Sequence, residues 1–97
     1  MTIFMKKFGN VLTSRQAGRE AYLAFSPTLS EIKKDEDVII DFEGINVFSP
    51  SWGDEFLTPI QQKYGDKVIL KNTANPSVAL TVKMLEKINN AKFRKEN

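Results

Sequence analysis

Apolar positions along this chain change period several times. Val38, Ile40 and Phe42 alternate with Ile39, Asp41 and Glu43, the two-residue period of a strand with one buried face. Ile3 to Phe8, closed by Gly9-Asn10, and Lys67 to Lys71 read as two further strands. Between the strands the period lengthens. Ala17, Ala21, Ala24 and Phe25 recur at helical spacing, as do Trp52, Phe56 and Ile60, and then Val78, Val82, Leu85 and Ile88. Thr13 with Gln16 three residues on predicts a capping box for the first helix. Ser26-Pro27 predicts a break there, with Leu29 and Ile32 on a second short helical piece. Ser51 is the expected cap of the next helix, its hydroxyl reaching the Asp54 N–H. Pro59 predicts a kink in that helix, and Asn75 before Pro76 predicts the cap of the last one.

The order is strand, helix, strand, helix, strand, helix. Such alternation predicts a small single-domain α/β layer, residues 1–97, in which one β-sheet is covered by helices. A mixed sheet is expected, with the direction of the first strand left open. Val38, Ile40, Phe42, Phe56, Val68, Leu70, Val82 and Leu85 occupy the inward positions and should be buried. From about Lys92 onward the chain is expected to be a frayed basic tail.

Composition narrows the chemistry more than the fold. The 97 residues contain neither Cys nor His. That removes the commonest general base, nucleophiles paired with His, and Cys/His zinc sites, so the chain is not expected to be an enzyme. The missing thiols fit a reducing compartment, and a cytoplasmic location is expected. No apolar run approaches the roughly 20 residues of a membrane span, and no membrane contact is expected.

Charge is distributed in three blocks. Residues 1–30 carry a net +3, residues 31–66 a net −6, and residues 67–97 a net +5. This segregation speaks to partners rather than to fold.

Few motifs carry chemistry. The five glycines never fall into a phosphate-loop pattern after a strand, and no cofactor is expected. Asp54-Glu55 and Asp35-Glu36-Asp37 lack the spacing of a Ca²⁺ loop, so they read as helix-end and solvated charges and not as a metal site. Arg15 and Arg19 share one helix face. The basic tail (Lys92, Arg94, Lys95) has few charges and no aromatic interleaving, so direct nucleic-acid binding is not expected. Trp52, one position after the expected cap, is read as a core residue.

The most distinctive stretch runs from Asp41 to Phe56: Asp41-Phe42, Gly44, the apolar Ile45 and Val47, then Ser51-Trp52-Gly53-Asp54-Glu55-Phe56. It resembles the STAS-like family, relatives of the bacterial anti-sigma-factor antagonists. There a strand ending in Asp-Phe leads through Gly to Ser, an aromatic, a small residue and Asp-Glu opening a helix. The resemblance implies a STAS-like βαβαβα order, and it places Ser51 at the phosphorylatable serine of the antagonists. Pro50, Trp52 and Pro59 depart from the usual pattern. As a stand-alone unit the chain also resembles the phage-encoded anti-CRISPR inhibitors of type I-F surveillance complexes.

Two functions are therefore expected in order. The first is a non-enzymatic, protein-binding inhibitor of the anti-CRISPR kind, blocking a DNA site through carboxylates set where phosphates would lie. Asp41 and Glu43 are expected to pair with Lys67 and Lys71 across the sheet. The free acidic surface is then Glu31, Asp35, Glu36, Asp37, Asp54, Glu55 and Asp66. Its partners would be subunits of the CRISPR surveillance complex. The alternative is a regulatory switch controlled by phosphorylation of Ser51, with a serine kinase and an anti-sigma factor as partners.

Overall fold

In the computed structural model, which describes residues 1–96, six short strands and three helices follow one another. They are β1 (Thr2–Phe4), β2 (Val11–Leu12), α1 (Arg15–Leu29), β3 (Val38–Asp41), β4 (Val47–Phe48), α2 (Pro50–Tyr64), β5 (Val68–Lys71), α3 (Pro76–Asn89) and β6 (Arg94–Glu96). Short 3-10 turns, Met5–Phe8 and Gly65–Lys67, follow β1 and precede β5.

The main sheet has the order β1-β3-β5-β6, and every pair in it is parallel. The mixed sheet expected from the sequence is thereby resolved into a parallel one. The basic tail is corrected as well: Arg94–Glu96 pairs with Ile69–Lys71 as the edge strand. It is held there by Lys95, whose ammonium lies 2.8 Å from the Glu86 carboxylate of α3. Each crossover steps one strand further in the same direction, and the right-handed sense that governs such parallel connections puts all three helices on one face. The burial pattern follows. Ile3, Val38, Ile40, Val68 and Leu70 face the helices and are fully buried, while Thr2, Phe4, Arg94 and Glu96 on the other face are exposed.

A second, two-stranded ladder pairs Val11 with Val47 and Leu12 with Phe48, also parallel. It carries the chain from the sheet to the starts of α1 and α2. All eight residues expected in the core are buried. Trp52 is buried too, within ring-centroid distances of 5.1 to 6.0 Å of Phe8, Phe48 and Phe56.

Several local expectations shift. Ser14, not Thr13, caps α1: its hydroxyl accepts the Ala17 N–H at 3.0 Å. The buried stripe of α1 is Gly18, Phe25 and Leu29, with Ala21 and Tyr22 half-buried, while Ala17 and Ala24 point to solvent. α1 also runs unbroken through Pro27. Phe25 and Leu29 are anchored in the core on either side, and the Tyr64 hydroxyl donates to the Leu29 carbonyl at 3.0 Å. α2 spans Pro59 as one helix, as the sequence places it, with Phe56 and Ile60 buried before and after it. Ile88 is exposed rather than part of the α3 stripe.

Among the described residues no helix is long and apolar enough to cross a membrane, and no group of three or more Asp or Glu stands close enough to hold a metal ion.

Candidate functional site

Three helix starts converge on the segment from Ile45 to Trp52. The Ser49 hydroxyl accepts the Trp52 N–H at 3.2 Å and donates to the Thr13 carbonyl at 2.7 Å, so one side chain caps α2 and ties it to the start of α1. The Ser49 N–H completes the link by donating to the Leu12 carbonyl. On the other side, Asn75 caps α3 by accepting from Ser77 and Val78, while its own amide donates to the Ile45 carbonyl at 3.1 Å. The Ser77 hydroxyl accepts the Phe48 N–H, and the Thr81 hydroxyl donates to the Phe48 carbonyl.

Glycine allows this convergence. A Cβ on Gly18 of α1 would stand 2.5 Å from the Trp52 carbonyl oxygen, so the backbones of α1 and α2 meet there directly. A Cβ on Gly53 would stand 2.9 Å from Leu85 of α3 and from Phe48. The small residue in the distinctive stretch is thus the contact of α2 with its other neighbour.

Ser51 is not the cap. Pro50 occupies the first helical position, where its missing N–H and fixed φ are harmless. The cap therefore falls on the residue before it, and Ser51 becomes the second helical residue. Ser51 is half-exposed, and its hydroxyl has no hydrogen-bond partner among the described residues. Asp54 and Glu55, three and four residues on, share its helix face. The Arg15 guanidinium reaches both, at 3.1 Å and 3.3 Å, from the first turn of α1. A cation at a helix start opposes the macrodipole of α1, and this pair of carboxylates offsets it. Asp54 further accepts the Thr58 hydroxyl at 3.0 Å.

The acidic surface expected from the sequence is divided between two ends of the molecule. Asp54 and Glu55 stand where the strands finish, joined to Arg15. Glu31, Asp35, Glu36, Asp37 and Asp66 stand at the opposite end, where β3 and β5 begin. The ten residues of α2 that follow Asp54, ending at Tyr64, separate the two groups by about 15 Å. Within the second group, Glu36 binds the N-terminal ammonium at 2.7 Å and accepts the Lys33 N–H at 3.0 Å. These contacts, the ammonium first, hold its carboxyl below the usual 4.5. Glu31, Asp35 and Asp37 are exposed, and Asp66 offers its backbone carbonyl to Arg94 at 2.7 Å.

The expected cross-sheet ion pairs are absent among the described residues. Asp41 lies beside Lys71 in register, yet its carboxylate accepts from the Asn72 amide at 2.7 Å and from the Glu43 N–H at 2.9 Å. Asp41 is buried and its partners are local, whereas Lys67 reaches back to the Lys34 carbonyl. Sequence reasoning missed Ser49, Gly18 and the bridging role of Arg15. A signal for the first existed: Ser49-Pro50 repeats the Asn75-Pro76 pattern that marks the start of α3.

A parallel α/β layer of this order, with its distinctive stretch at the start of α2, has the fold of a STAS-like domain. A family model described as a STAS-like domain of unknown function (DUF4325) matches residues 27–78, slightly more than half of the chain, and the chain belongs to that family. The match contains β3, β4, α2 and β5, and ends as α3 begins. No curated protein and no solved structure matches the chain.

Proposed function

We propose that this chain is a non-enzymatic protein-binding module of a bacterial cytoplasm, whose partner face is the start of α2 and whose binding is set by the charge on Ser51. The observation that carries the reading is the position of Ser51: second residue of a helix, half-exposed, and on one face with the Arg15–Asp54–Glu55 cluster. A phosphate there would add about 1.5 to 2 negative charges at neutral pH. It would favour the helix N-terminus and attract Arg15, while repelling Asp54 and Glu55. The ion pairs would have to be exchanged, changing the charge pattern of the face without disturbing the buried Trp52 and Phe56 beneath it. A serine kinase and an anti-sigma-like factor are the partners this reading names.

The test compares partners cross-linked from the native host to wild type, Ser51→Ala and Ser51→Asp. A protein captured by the first two and lost by the third is expected. Equal capture by all three, with unchanged melting temperatures, would remove the switch.

A second reading, an inhibitor of the anti-CRISPR type that occupies a DNA groove of a type I-F surveillance complex, draws support from Glu31, Asp35 and Asp37. These are exposed and have no ion-pair partner among the described residues. On this reading, changing Asp35 and Asp37 to Lys weakens capture of the complex and its competition with DNA, while Ser51→Asp leaves both intact.

A further inference from the structure

The outward face of α3 is apolar and basic at once. Leu80, Met84 and Ile88 recur every four residues and are 62%, 41% and 65% exposed. They form a ridge about 12 Å long on the side of the helix away from Val78, Val82 and Leu85. Lys83 and Lys87 occupy the adjoining row, both exposed. Past them lie two open grooves of about 310 and 460 Å³, with Lys95 lining the first and Lys92 the second. Glu86 is the one carboxylate of α3, and its charge is taken up by Lys95 and by the Phe93 N–H, each at 2.8 Å. From Lys83 onward the face is therefore cationic, with an uncovered apolar ridge beside the cations.

These two properties define the occupant. A second copy packed antiparallel on this ridge, about a twofold axis perpendicular to α3, would bring the Lys83 and Lys87 row against its own counterpart, like charge on like charge. The grooves lie on the lysine side, so the apolar side chains stand on a convex ridge rather than in a cleft that would receive a partner's side chains. An anionic lipid surface suits both features. Leu, Met and Ile enter the boundary between headgroups and acyl chains, lysine stems lie along it with their ammonium groups at the phosphates, and the negative surface potential attracts the cations.

We propose that α3 docks the domain peripherally on an anionic lipid surface, with Leu80, Met84 and Ile88 inserted and Lys83, Lys87 and Lys92 on the headgroups. The proposal departs from the expectation of no membrane contact, and it is independent of Ser51, which lies at the start of a different helix. Its test is co-sedimentation of the full chain with vesicles of phosphatidylcholine mixed with phosphatidylserine, and with vesicles of phosphatidylcholine alone. Wild type should bind the mixed vesicles, more weakly as salt rises, and should leave the neutral ones unbound. Lys83→Glu with Lys87→Glu should weaken binding about tenfold or more. Leu80→Ser, Met84→Ser and Ile88→Ser together should abolish it with the fold retained by circular dichroism. No binding of wild type to the mixed vesicles overturns the proposal, as does undiminished binding by either variant. Concentration-dependent dimerisation that the triple serine variant removes would also overturn it, by assigning the ridge to a second copy.

Discussion

α2 and α3 begin alike and end up in opposite circumstances. Each opens with a polar cap followed by Pro, each has a buried stripe, and they differ in length by one residue. Yet α2 buries Trp52, Gly53, Phe56, Leu57, Thr58 and Ile60, whereas α3 buries Val78, Thr81, Val82 and Leu85 and leaves three large apolar side chains in solvent. The difference lies in position within the layer. α2 is the middle helix, pressed by α1 through Gly18 and by α3 through Gly53. α3 is the last helix and has a neighbour on one flank. A central helix is fixed by packing on nearly every side, while an edge helix has a face available for something outside the chain.

The largest expected effect tests that contrast directly. Phe56 is fully buried and packs against Phe8, Tyr22, Phe25 and Trp52. Phe56→Ala should cost about 3–5 kcal/mol, a large share of the stability of a domain this size. Ile88→Ala at the edge should change stability by about 0.5 kcal/mol or less. Urea unfolding of the two variants measures both, and similar losses would mean that α3 is covered in solution.

Gly18→Ala comes next. Its methyl group would lie 2.5 Å from the Trp52 carbonyl oxygen, a backbone atom that no rotamer change can move aside. Separating α1 from α2 should cost about 1–3 kcal/mol, read as a lowered melting temperature. Ala17→Ser, one residue earlier on the exposed face, should be close to neutral.

The legible part of this fold was what repeats locally. The strand at Val38–Asp41, the helix opened by Asn75-Pro76 and the alternating order that makes an α/β layer all follow from short-range period and capping chemistry. What the sequence hid depends on distant residues. β6 has no apolar alternation, since Arg94, Lys95 and Glu96 are all charged and exposed; it is a strand because Glu86 and the open edge of β5 hold it. The one-residue offset in the α1 stripe arises because Gly18, which no hydrophobicity scale marks as a core residue, sits where α2 comes closest. The candidate site was half legible. The stretch from Asp41 to Phe56 announced itself, but the division of its carboxylates from those at residues 31–37 is a property of parallel topology, which places the start and the end of α2 at opposite ends of the sheet.

The cap of α2 gives the third prediction. Ser49→Ala removes the acceptor for the Trp52 N–H and the donor to Thr13, so it should cost about 0.5–2 kcal/mol. Ser51→Ala removes no hydrogen bond among the described residues and should leave the melting temperature nearly unchanged. The reverse ranking would restore Ser51 as the cap and weaken its reading as a free, modifiable hydroxyl.

The smallest effect is electrostatic and belongs to the edge. Burial pushes the Glu86 carboxyl up, but the Lys95 ammonium and the Phe93 N–H together outweigh it, and the group lies below its usual 4.5. A carboxyl lowered by folding stabilises the native state above its unfolded value. That contribution is complete above about pH 4.5 and disappears as pH falls through the lower folded value. Glu86→Gln keeps an oxygen for the Phe93 N–H but gives up the charge facing Lys95, a pair worth about 0–1 kcal/mol with Lys95 partly in solvent. The variant should therefore melt slightly below wild type at pH 7, and the gap should close on acidification below pH 4.5. Hydrogen exchange at Arg94–Glu96 should rise in the variant while exchange in α2 stays unchanged, because β6 is fastened to α3 by this contact and α2 is held by packing. A gap that widens at low pH would mean that the Lys95 contact is not what holds the edge strand.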